Sequence, residues 1–157
     1  MGMLVLFPNK SKFHNHNPEP QIMLTNSDNE YQVITIKTDG LLVSCLYIEP
    51  GKGTKKKIAE ILTDVHIQSS EIIMGDLNLN PKDPNELCRI KQFCRDEYTM
   101  HLKEETTRHH NHIDHIFVSK DIEEQVFTTC FTNFVSDHKT MVIRVGGKGN
   151  TTAKQRI

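Results

Sequence analysis

Two β-strands joined by the dipeptide Asp39-Gly40 are the feature that most constrains the fold. The segment YQVITIKT (31–38) alternates from one side to the other, and LLVSCLYI (41–48) is a nearly continuous apolar run. Such runs are typical of strands, and Asp-Gly is a strong signal for a tight turn between antiparallel strands. The sequence therefore predicts a β-hairpin over 31–48.

Further strands and two helices are predicted around this hairpin. Apolar residues at helical spacing indicate amphipathic helices over 55–67 and 84–97. Short apolar runs indicate strands at 3–7, 20–25, 71–76, 112–119, 124–132 and 140–145. A polar segment over 8–19 is read as a loop, and 146–157 as a flexible basic tail. Many strands with helices at their connections predict an α+β domain of layered sheets.

Length and composition restrict the class of protein. A chain of 157 residues fits one domain, and a net charge of -1 is unlike the strongly basic balance of dedicated nucleic-acid-binding domains. Any contact with nucleic acid is therefore expected to be local, or transient as in an enzyme. The four cysteines form no C-x-x-C pair, which predicts free thiols in a reducing compartment. With no segment of transmembrane length, we expect an intracellular protein of nucleus or cytoplasm and no membrane partner.

Polar side chains stand where three of the predicted strands begin or end. The segments are IIMGDLN, HIDHIFVS and VSDHKTMVIRV, which contribute Asp76 with Asn78, Asp114, and Asp137 with His138. In an extended chain Asp76 and Asn78 point to the same side, where the acid could orient a water and the amide could stabilise a phosphoryl oxygen. A capped turn explains the same residues equally well. Adjacent Asp137 and His138 point to opposite sides, so one is expected to bind metal and the other to act on phosphate.

In this order, the three motifs resemble those of the endonuclease/exonuclease/phosphatase superfamily. GDLN is similar to the family's GD-x-N, HIDHIFVS to its (R/H)-(I/L)-D-(Y/H)-(I/F)-(F/V) strand, and SDHKTM to its SDH-(R/K)-P-(V/L). SCLYIEP is similar to the family strand that ends in Tyr. The resemblance runs from about Met3 to Val145 and looks most like endonuclease domains carried by mobile elements.

The resemblance implies a fold and a domain boundary. Family members are built as a four-layer α/β-sandwich of DNase I-like type, with two packed, mostly antiparallel sheets and flanking helices. The family domain is longer, and its N-terminal region carries an Asn and a metal-binding Glu for which we find no counterpart. We therefore expect residues 1–145 to form a truncated domain of this type that lacks the N-terminal region.

The resemblance also implies roles for residues that meet the water and the leaving group. Asp76 would orient or deprotonate the attacking water, and Asn78 would hydrogen-bond a phosphoryl oxygen. Tyr47, at the end of its strand, would reach the phosphate or the leaving group. These three residues are predicted to be catalytic, together with Asp114 and His138.

Three further residues would hold the metal and the phosphate. The family uses Mg²⁺, with Mn²⁺ as a substitute, and Asp137 would help to bind it. His138 would contact the scissile phosphate, while Asp114 would orient and buffer its imidazole. Mg²⁺ suits such a site because it takes few carboxylates and keeps waters and substrate oxygens in its shell.

The function implied is a Mg²⁺-dependent phosphodiesterase or endonuclease that cleaves DNA, so that the partner is nucleic acid. One alternative is an inactive, truncated remnant that only binds. Another is a phosphomonoesterase of the same superfamily, acting on a lipid or a nucleotide. The oligomeric state stays open.

Four other features of the sequence have competing interpretations. A zinc site or a polar loop could explain five histidines, namely His101, His109, His110, His112 and His115. The segment KGTKKK (52–57) could contact a phosphodiester backbone or form a solvated helix face. Arg108 could add a further phosphate contact. Three phenylalanines are expected in the core rather than stacked on bases: Phe127, Phe131 and Phe134.

Overall fold

The described residues of the chain contain eight strands, three α-helices and one short 3-10 helix over Glu123–Gln125. The computed structural model describes residues 21–27, 30–38, 40–101, 104–107, 109–132 and 134–146. The strands are β1 (Gln21–Ser27), β2 (Tyr31–Thr38), β3 (Leu41–Ile48), β4 (Ile72–Asp76), β5 (Tyr98–Met100), β6 (Asp114–Ser119), β7 (Val126–Phe131) and β8 (Thr140–Val145). The helices are α1 (Lys55–Ile61), α2 (Val65–Gln68) and α3 (Pro84–Cys94). The predicted strand over 3–7, the loop over 8–19 and the tail beyond residue 146 lie outside the described residues.

Six of the strands form one sheet in the order β1-β2-β3-β4-β6-β5. The predicted hairpin is confirmed, because β2 and β3 pair antiparallel from Thr38 opposite Leu41 to Tyr31 opposite Ile48. β3 and β4 are parallel, and their connection is the helical segment that follows the hairpin. The short strand β5 was not predicted, since three residues are too few to show a period.

The helices cover one face of this sheet. Their contact forms the larger core, which contains Leu46, Ile48, Ile73 and Phe117 from the strands and Ile58, Ile61, Ile90 and Phe93 from the helices. Phe93 and Phe117 stack with ring centroids 5.3 Å apart. Burial of this many aliphatic and aromatic side chains is the main force that holds the helices on the sheet.

The opposite face of the large sheet carries the two-stranded sheet of β7 and β8. A second core lies between them and joins Ile72, Ile116 and Val118 of the large sheet to Val126, Met141 and Ile143 of the small one. Two sheets packed face to face with helices outside is the predicted α+β class, and it is confirmed.

The helix predicted over 55–67 is two helices. Thr54 caps α1 by accepting a hydrogen bond from the Lys57 amide at 3.2 Å. Asp64 then accepts one from the Ile67 amide at 3.3 Å, as an N-cap does, and starts α2. An Asp at that position therefore divides a segment whose apolar spacing looks continuous. The second predicted helix, 84–97, begins at Pro84 after the Asp83 cap but ends at Cys94.

The three phenylalanines expected in the core are exposed instead. β7 alternates strictly, so Val126 and Cys130 face the large sheet while Phe127 and Phe131 point outward. Phe134 lies beyond the strand in the loop and is fully exposed. Periodicity identified the strand correctly, but it could not say which of its two faces would be covered.

The cysteines agree with the prediction of free thiols. All four are unpaired: Cys45, Cys88, Cys94 and Cys130. Cys45 lies in the interior, where burial raises the pKa of its thiol to about 11. No helix among the described residues is long and apolar enough to cross a membrane.

Candidate active site

Three predicted site residues form one row across the large sheet. Tyr47 of β3 is the register partner of Asp76 of β4, and Asp76 is in turn the partner of Asp114 of β6. Paired residues on adjacent strands share a face and lie about 5 Å apart. By the alternation along β4 and β6, this face is the one that packs on the small sheet. The row therefore lies at the last residue of β4 and the first residue of β6, on the face that the small sheet covers, and we call this place the site mouth.

The backbone around Asp76 is shaped by glycine. Gly75 has φ +143°, and a Cβ atom there would lie 1.8 Å from the Leu46 carbonyl oxygen. Only glycine therefore lets β4 approach β3 this closely next to the row. Gly75 fixes the relative position of Tyr47 and Asp76 through this contact.

Asn78 completes a tight turn after β4. Its backbone is left-handed, with φ 49°, a conformation that Asn tolerates better than most residues. Its amide N–H donates to Oδ1 of Asp76 at 3.0 Å, and its side-chain Nδ2 donates to the Ile48 carbonyl at 2.7 Å. The capped-turn interpretation is thus correct for the local structure, and the same turn brings Asn78 beside the mouth.

His138 reaches the row from the small sheet's side of the mouth. Its Nδ1 donates to both carboxylate oxygens of Asp114, at 3.0 Å each. Its other nitrogen, Nε2, lies 3.8 Å from Oδ2 of Asp76. All three side chains are largely buried, with 18% of His138, 7% of Asp114 and 14% of Asp76 exposed. This geometry fixes the imidazole between two carboxylates, with Nδ1 on Asp114 and Nε2 toward Asp76.

A buried threonine, Thr106, holds Asp114 and His138 in place. It is not among the site residues predicted from the sequence. Thr106 is fully buried, and its hydroxyl accepts hydrogen bonds from the Ile113 and Asp114 amides at 3.2 and 3.1 Å. Its carbonyl accepts one from the Lys139 amide at 2.6 Å. Thr106 therefore ties the start of β6 to the segment that carries His138. A sequence signal existed in the paired threonines of TTRHHN, but only the fold gives them this role; Arg108 itself lies outside the described residues.

The electrostatics of the mouth perturb both titrating groups. Burial, followed by the neighbouring Asp114 carboxylate, raises the pKa of Asp76 to about 6. Burial lowers the pKa of His138, but the charge and hydrogen bond of Asp114 and the charges of Asp76 and Asp137 outweigh it, so its pKa is raised. The mouth therefore favours a carboxyl that titrates near neutrality and an imidazole that keeps its proton.

The donor atoms fit a divalent cation. Ligand atoms of Asp76, Asp114 and His138 lie within 4.8 Å of one another, the one such group of His, Cys, Asp or Glu among the residues that the structure describes. Burial and then the neighbouring Asp114 carboxylate raise the pKa of Asp76, and a hard cation that prefers carboxylate oxygen would relieve the repulsion between the two carboxylates. The Asp137 carboxyl, predicted as a metal ligand, is exposed and outside this group, although its charge reaches both Asp76 and His138.

A buried histidine supports the turn from the other face of the sheet. His115 donates a hydrogen bond from Nε2 to the Leu79 carbonyl at 2.8 Å, and burial lowers its pKa to about 4. Its ring lies between those of His112 and Phe117, at centroid distances of 4.8 and 5.9 Å. His115 therefore acts as a neutral tether on the chain just after Asn78.

Among the described residues, the histidines and the KGTKKK segment do not come together to form a second site. His101 lies near Glu123 and His110 binds Glu105, while His112 and His115 are in the core, so these histidines do not assemble the zinc site considered above. Lys57 of the KGTKKK segment pairs with Glu30 and Glu60 at 2.7 and 3.3 Å. These ion pairs within the fold favour a structural role for Lys57 over a contact with a phosphodiester backbone.

Comparison with solved structures confirms the fold. The endonuclease domain of TRAS1, a telomere-specific non-LTR retrotransposon, superposes with a TM-score of 0.58 and 16% identity, over 82% of this chain and 68% of that domain. The Haemophilus ducreyi cytolethal distending toxin gives a TM-score of 0.53 and 15% identity, over 84% of this chain and 60% of that one.

A third solved structure is also similar to this chain. An endonuclease/exonuclease/phosphatase family protein from Leptotrichia buccalis gives a TM-score of 0.49 and 17% identity, over 74% of this chain and 54% of that one. No protein-family model matches the chain, and no curated protein matches it. At these identities the likeness is one of fold, and this chain spans about two thirds or less of the structures it resembles.

Proposed function

We propose that the protein is a divalent-cation-dependent phosphodiesterase that cleaves nucleic acid, DNA in preference to RNA. The observation that carries the proposal is the His138 imidazole, which Asp114 holds by Nδ1 while Nε2 faces Asp76 at the site mouth. A carboxylate that can take a proton and an imidazolium that can meet a phosphoryl oxygen are what phosphodiester hydrolysis requires. The fold shared with a retrotransposon endonuclease domain agrees with DNA as substrate.

Asp76 is the proposed general base. Its pKa of about 6 leaves it mostly ionised at neutral pH, yet basic enough to accept a proton as water attacks phosphorus. Oδ1 already accepts the Asn78 amide, so Oδ2 is the oxygen that takes the proton. Asn78 keeps a second side-chain N–H beyond the one given to Ile48, and that N–H is the proposed donor to a phosphoryl oxygen.

His138 is the proposed electrostatic partner of the phosphate. Because Asp114 accepts the Nδ1 proton, the orientation of the ring is fixed, and the protonated ring directs its Nε2–H toward Asp76 at the mouth. The raised pKa favours the cationic ring, and a cationic ring stabilises the charge that grows on a nonbridging oxygen in the transition state. Tyr47, beside Asp76 in the row, is the proposed contact for the leaving oxygen.

The carboxylates at the mouth are the proposed cation site. The carboxylates of Asp76 and Asp114 would hold Mg²⁺ or Mn²⁺, and Asp137, which lies outside that group, is the proposed further ligand because its charge reaches Asp76. When bound, such an ion neutralises phosphoryl charge and steadies the leaving oxyanion. Residues 1–145 are proposed to act as the domain that carries this site.

The test is metal-dependent nicking of supercoiled and abasic DNA by the purified chain. Nicking should require Mg²⁺, stop in EDTA, and fall by about 10²- to 10⁴-fold in Asp76→Asn or His138→Ala. Asp121→Asn removes an exposed carboxylate elsewhere and should leave the rate unchanged. Turnover that survives Asp76→Asn and His138→Ala together would refute the mechanism.

The same preparation separates the alternatives. Phosphate release from an inositol phosphate, without nicking, would favour a phosphomonoesterase. Binding to DNA without turnover of any substrate would favour an inactive domain.

A further inference from the structure

Two apolar side chains project into solvent next to the site mouth. Phe134 is 100% exposed and Val135 is 96% exposed, in the loop that joins β7 to β8. Apolar side chains with this degree of exposure contribute no burial to the core. A cluster of exposed apolar side chains often marks a contact surface. The loop leads directly into Asp137 and His138.

The loop is anchored on the site. The Ser136 hydroxyl accepts a hydrogen bond from the His138 amide at 3.1 Å, and His138 is held by Asp114. The next amide, of Lys139, is bound by Thr106 at 2.6 Å. Phe134 and His138 are four positions apart in the chain, so their Cα atoms lie at most about 14 Å apart. Phe134 is therefore within reach of the nucleotide whose phosphate would occupy the mouth.

The mouth offers little else to hold a base. Apart from Tyr47, assigned to the leaving oxygen, and Asn78, assigned to a phosphoryl oxygen, its side chains are carboxylates and one imidazole, and the whole chain has a net charge of -1. Electrostatic attraction of the phosphate backbone is therefore weak, whereas an aromatic ring can stack on any base and an apolar wedge can separate neighbouring bases. Phe134 and Val135 have the chemistry for both.

We propose that Phe134, supported by Val135, packs on a nucleobase beside the scissile phosphodiester, so that the site prefers a phosphodiester next to an unpaired or unstacked base. This inference rests on the proposed function and names the substrate class of the same site. It makes Phe134 a specificity-determining residue, whose ring touches substrate but not the reacting atoms.

The chain supplies a matched control. Phe127 is also exposed, at 67%, but it lies opposite Arg144 near the far end of the small sheet. It is four residues along the strand from Phe131, which adjoins the loop, so about 13 Å of strand separates them. A phenylalanine that merely makes the surface apolar would behave like Phe127.

The experiment compares two substrates for each variant. One is a DNA duplex with a single unpaired base, and the other is bis(4-nitrophenyl) phosphate, a diester without a nucleobase. Phe134→Ala should lower kcat/KM on the duplex by about tenfold or more and leave hydrolysis of the small diester unchanged. Phe134→Tyr keeps the ring and should restore the rate, while Phe127→Ala should change neither. Thermal unfolding should be unaffected by all three changes, because both positions are exposed.

A second measurement needs no turnover. His138→Ala protein, mixed with a duplex that carries 2-aminopurine at the unpaired position, should change the fluorescence of that base, and adding Phe134→Ala should abolish the change.

The outcomes distinguish the two proposals. If neither substrate is hydrolysed in Mg²⁺, the proposed function fails and the inference fails with it. If both are hydrolysed and Phe134→Ala affects neither, or both equally, only the inference is overturned. Loss of self-association in Phe134→Ala with unchanged DNA kinetics would also overturn it, since the loop would then serve contact between copies of the chain.

Discussion

Replacing Asp76 by Asn should stabilise the protein at neutral pH while it abolishes the proposed activity. The pKa of this carboxyl is raised from 3.8 to about 6, first by burial and then by Asp114. One pKa unit corresponds to about 1.4 kcal/mol, so the ionised form costs the fold about 3 kcal/mol at most. Solvent at the mouth screens much of that cost, and we expect a gain of about 1–2 kcal/mol in Asp76→Asn. The amide keeps the oxygen that accepts the Asn78 N–H.

The sign of the effect depends on pH in a defined way. A raised carboxyl pKa destabilises the fold fully above about pH 6, where the folded group is ionised. The penalty fades as pH falls, and it vanishes below 3.8, where the unfolded group is protonated too. The advantage of Asp76→Asn should therefore be present at pH 7.5 and nearly absent at pH 4.

Urea unfolding of both proteins in EDTA, at the two pH values, measures this difference. Asp121→Asn, an exposed carboxylate, should show no gain at either pH. Repeating the titration with Mg²⁺ should narrow the gap, because a cation that binds the carboxylates stabilises the parent protein more than the variant. An Asp76→Asn protein that is no more stable than its parent at pH 7.5, or whose gain persists at pH 4, would refute the reasoning.

Three further outcomes are expected. Gly75→Ala should cost about 3–5 kcal/mol in urea unfolding, because its Cβ would lie 1.8 Å from a carbonyl oxygen, whereas Gly51→Ala, with φ +77° and open space, should cost only about 1–2 kcal/mol. Thr106→Val should cost about 1–3 kcal/mol and reduce activity, and Thr106→Ser, which keeps the hydroxyl, should restore most of both. Activity should fall as pH rises through the raised pKa of His138, which gives the pH–rate profile an alkaline limb. Asp114→Asn should move this alkaline limb to lower pH, because it removes a charge that raises the pKa of His138. An alkaline limb that stays in place would contradict the pairing of His138 with Asp114.

The elements of the fold that sequence could predict are those set by local signals. Asp39-Gly40 and two apolar runs were enough to place β2 and β3 to the residue, since turn chemistry and a period of two act within a few positions. The break at Asp64 was missed because capping by one side chain overrides a continuous apolar spacing. Phe127 was misassigned because a strand in a sandwich has two apolar-compatible faces, and only the partner sheet decides which one is buried.

The sequence selects a set of candidate site residues, but it does not give their geometry. Asp76, Asp114 and His138 were selected by motif and resemblance, and the fold does bring them within hydrogen-bonding or near-contact distance. The supports behind them, Thr106 and His115, carry no motif of their own. Their roles arise from contacts between segments distant in the chain, which a sequence pattern does not encode.

The contact between His138 and Asp114 has a mechanical consequence. Asp114 belongs to β6 of the large sheet, and His138 lies in the loop that leads into β8 of the small sheet. Only 3.0 Å separates Nδ1 of His138 from Oδ1 of Asp114. A shift of one sheet over the other by an ångström would break this hydrogen bond. The rate of the proposed reaction would therefore depend on the relative position of the two sheets. Ligands or substitutions at the remote interface, around Ile116 and Ile143, could thus tune turnover without ever touching the substrate.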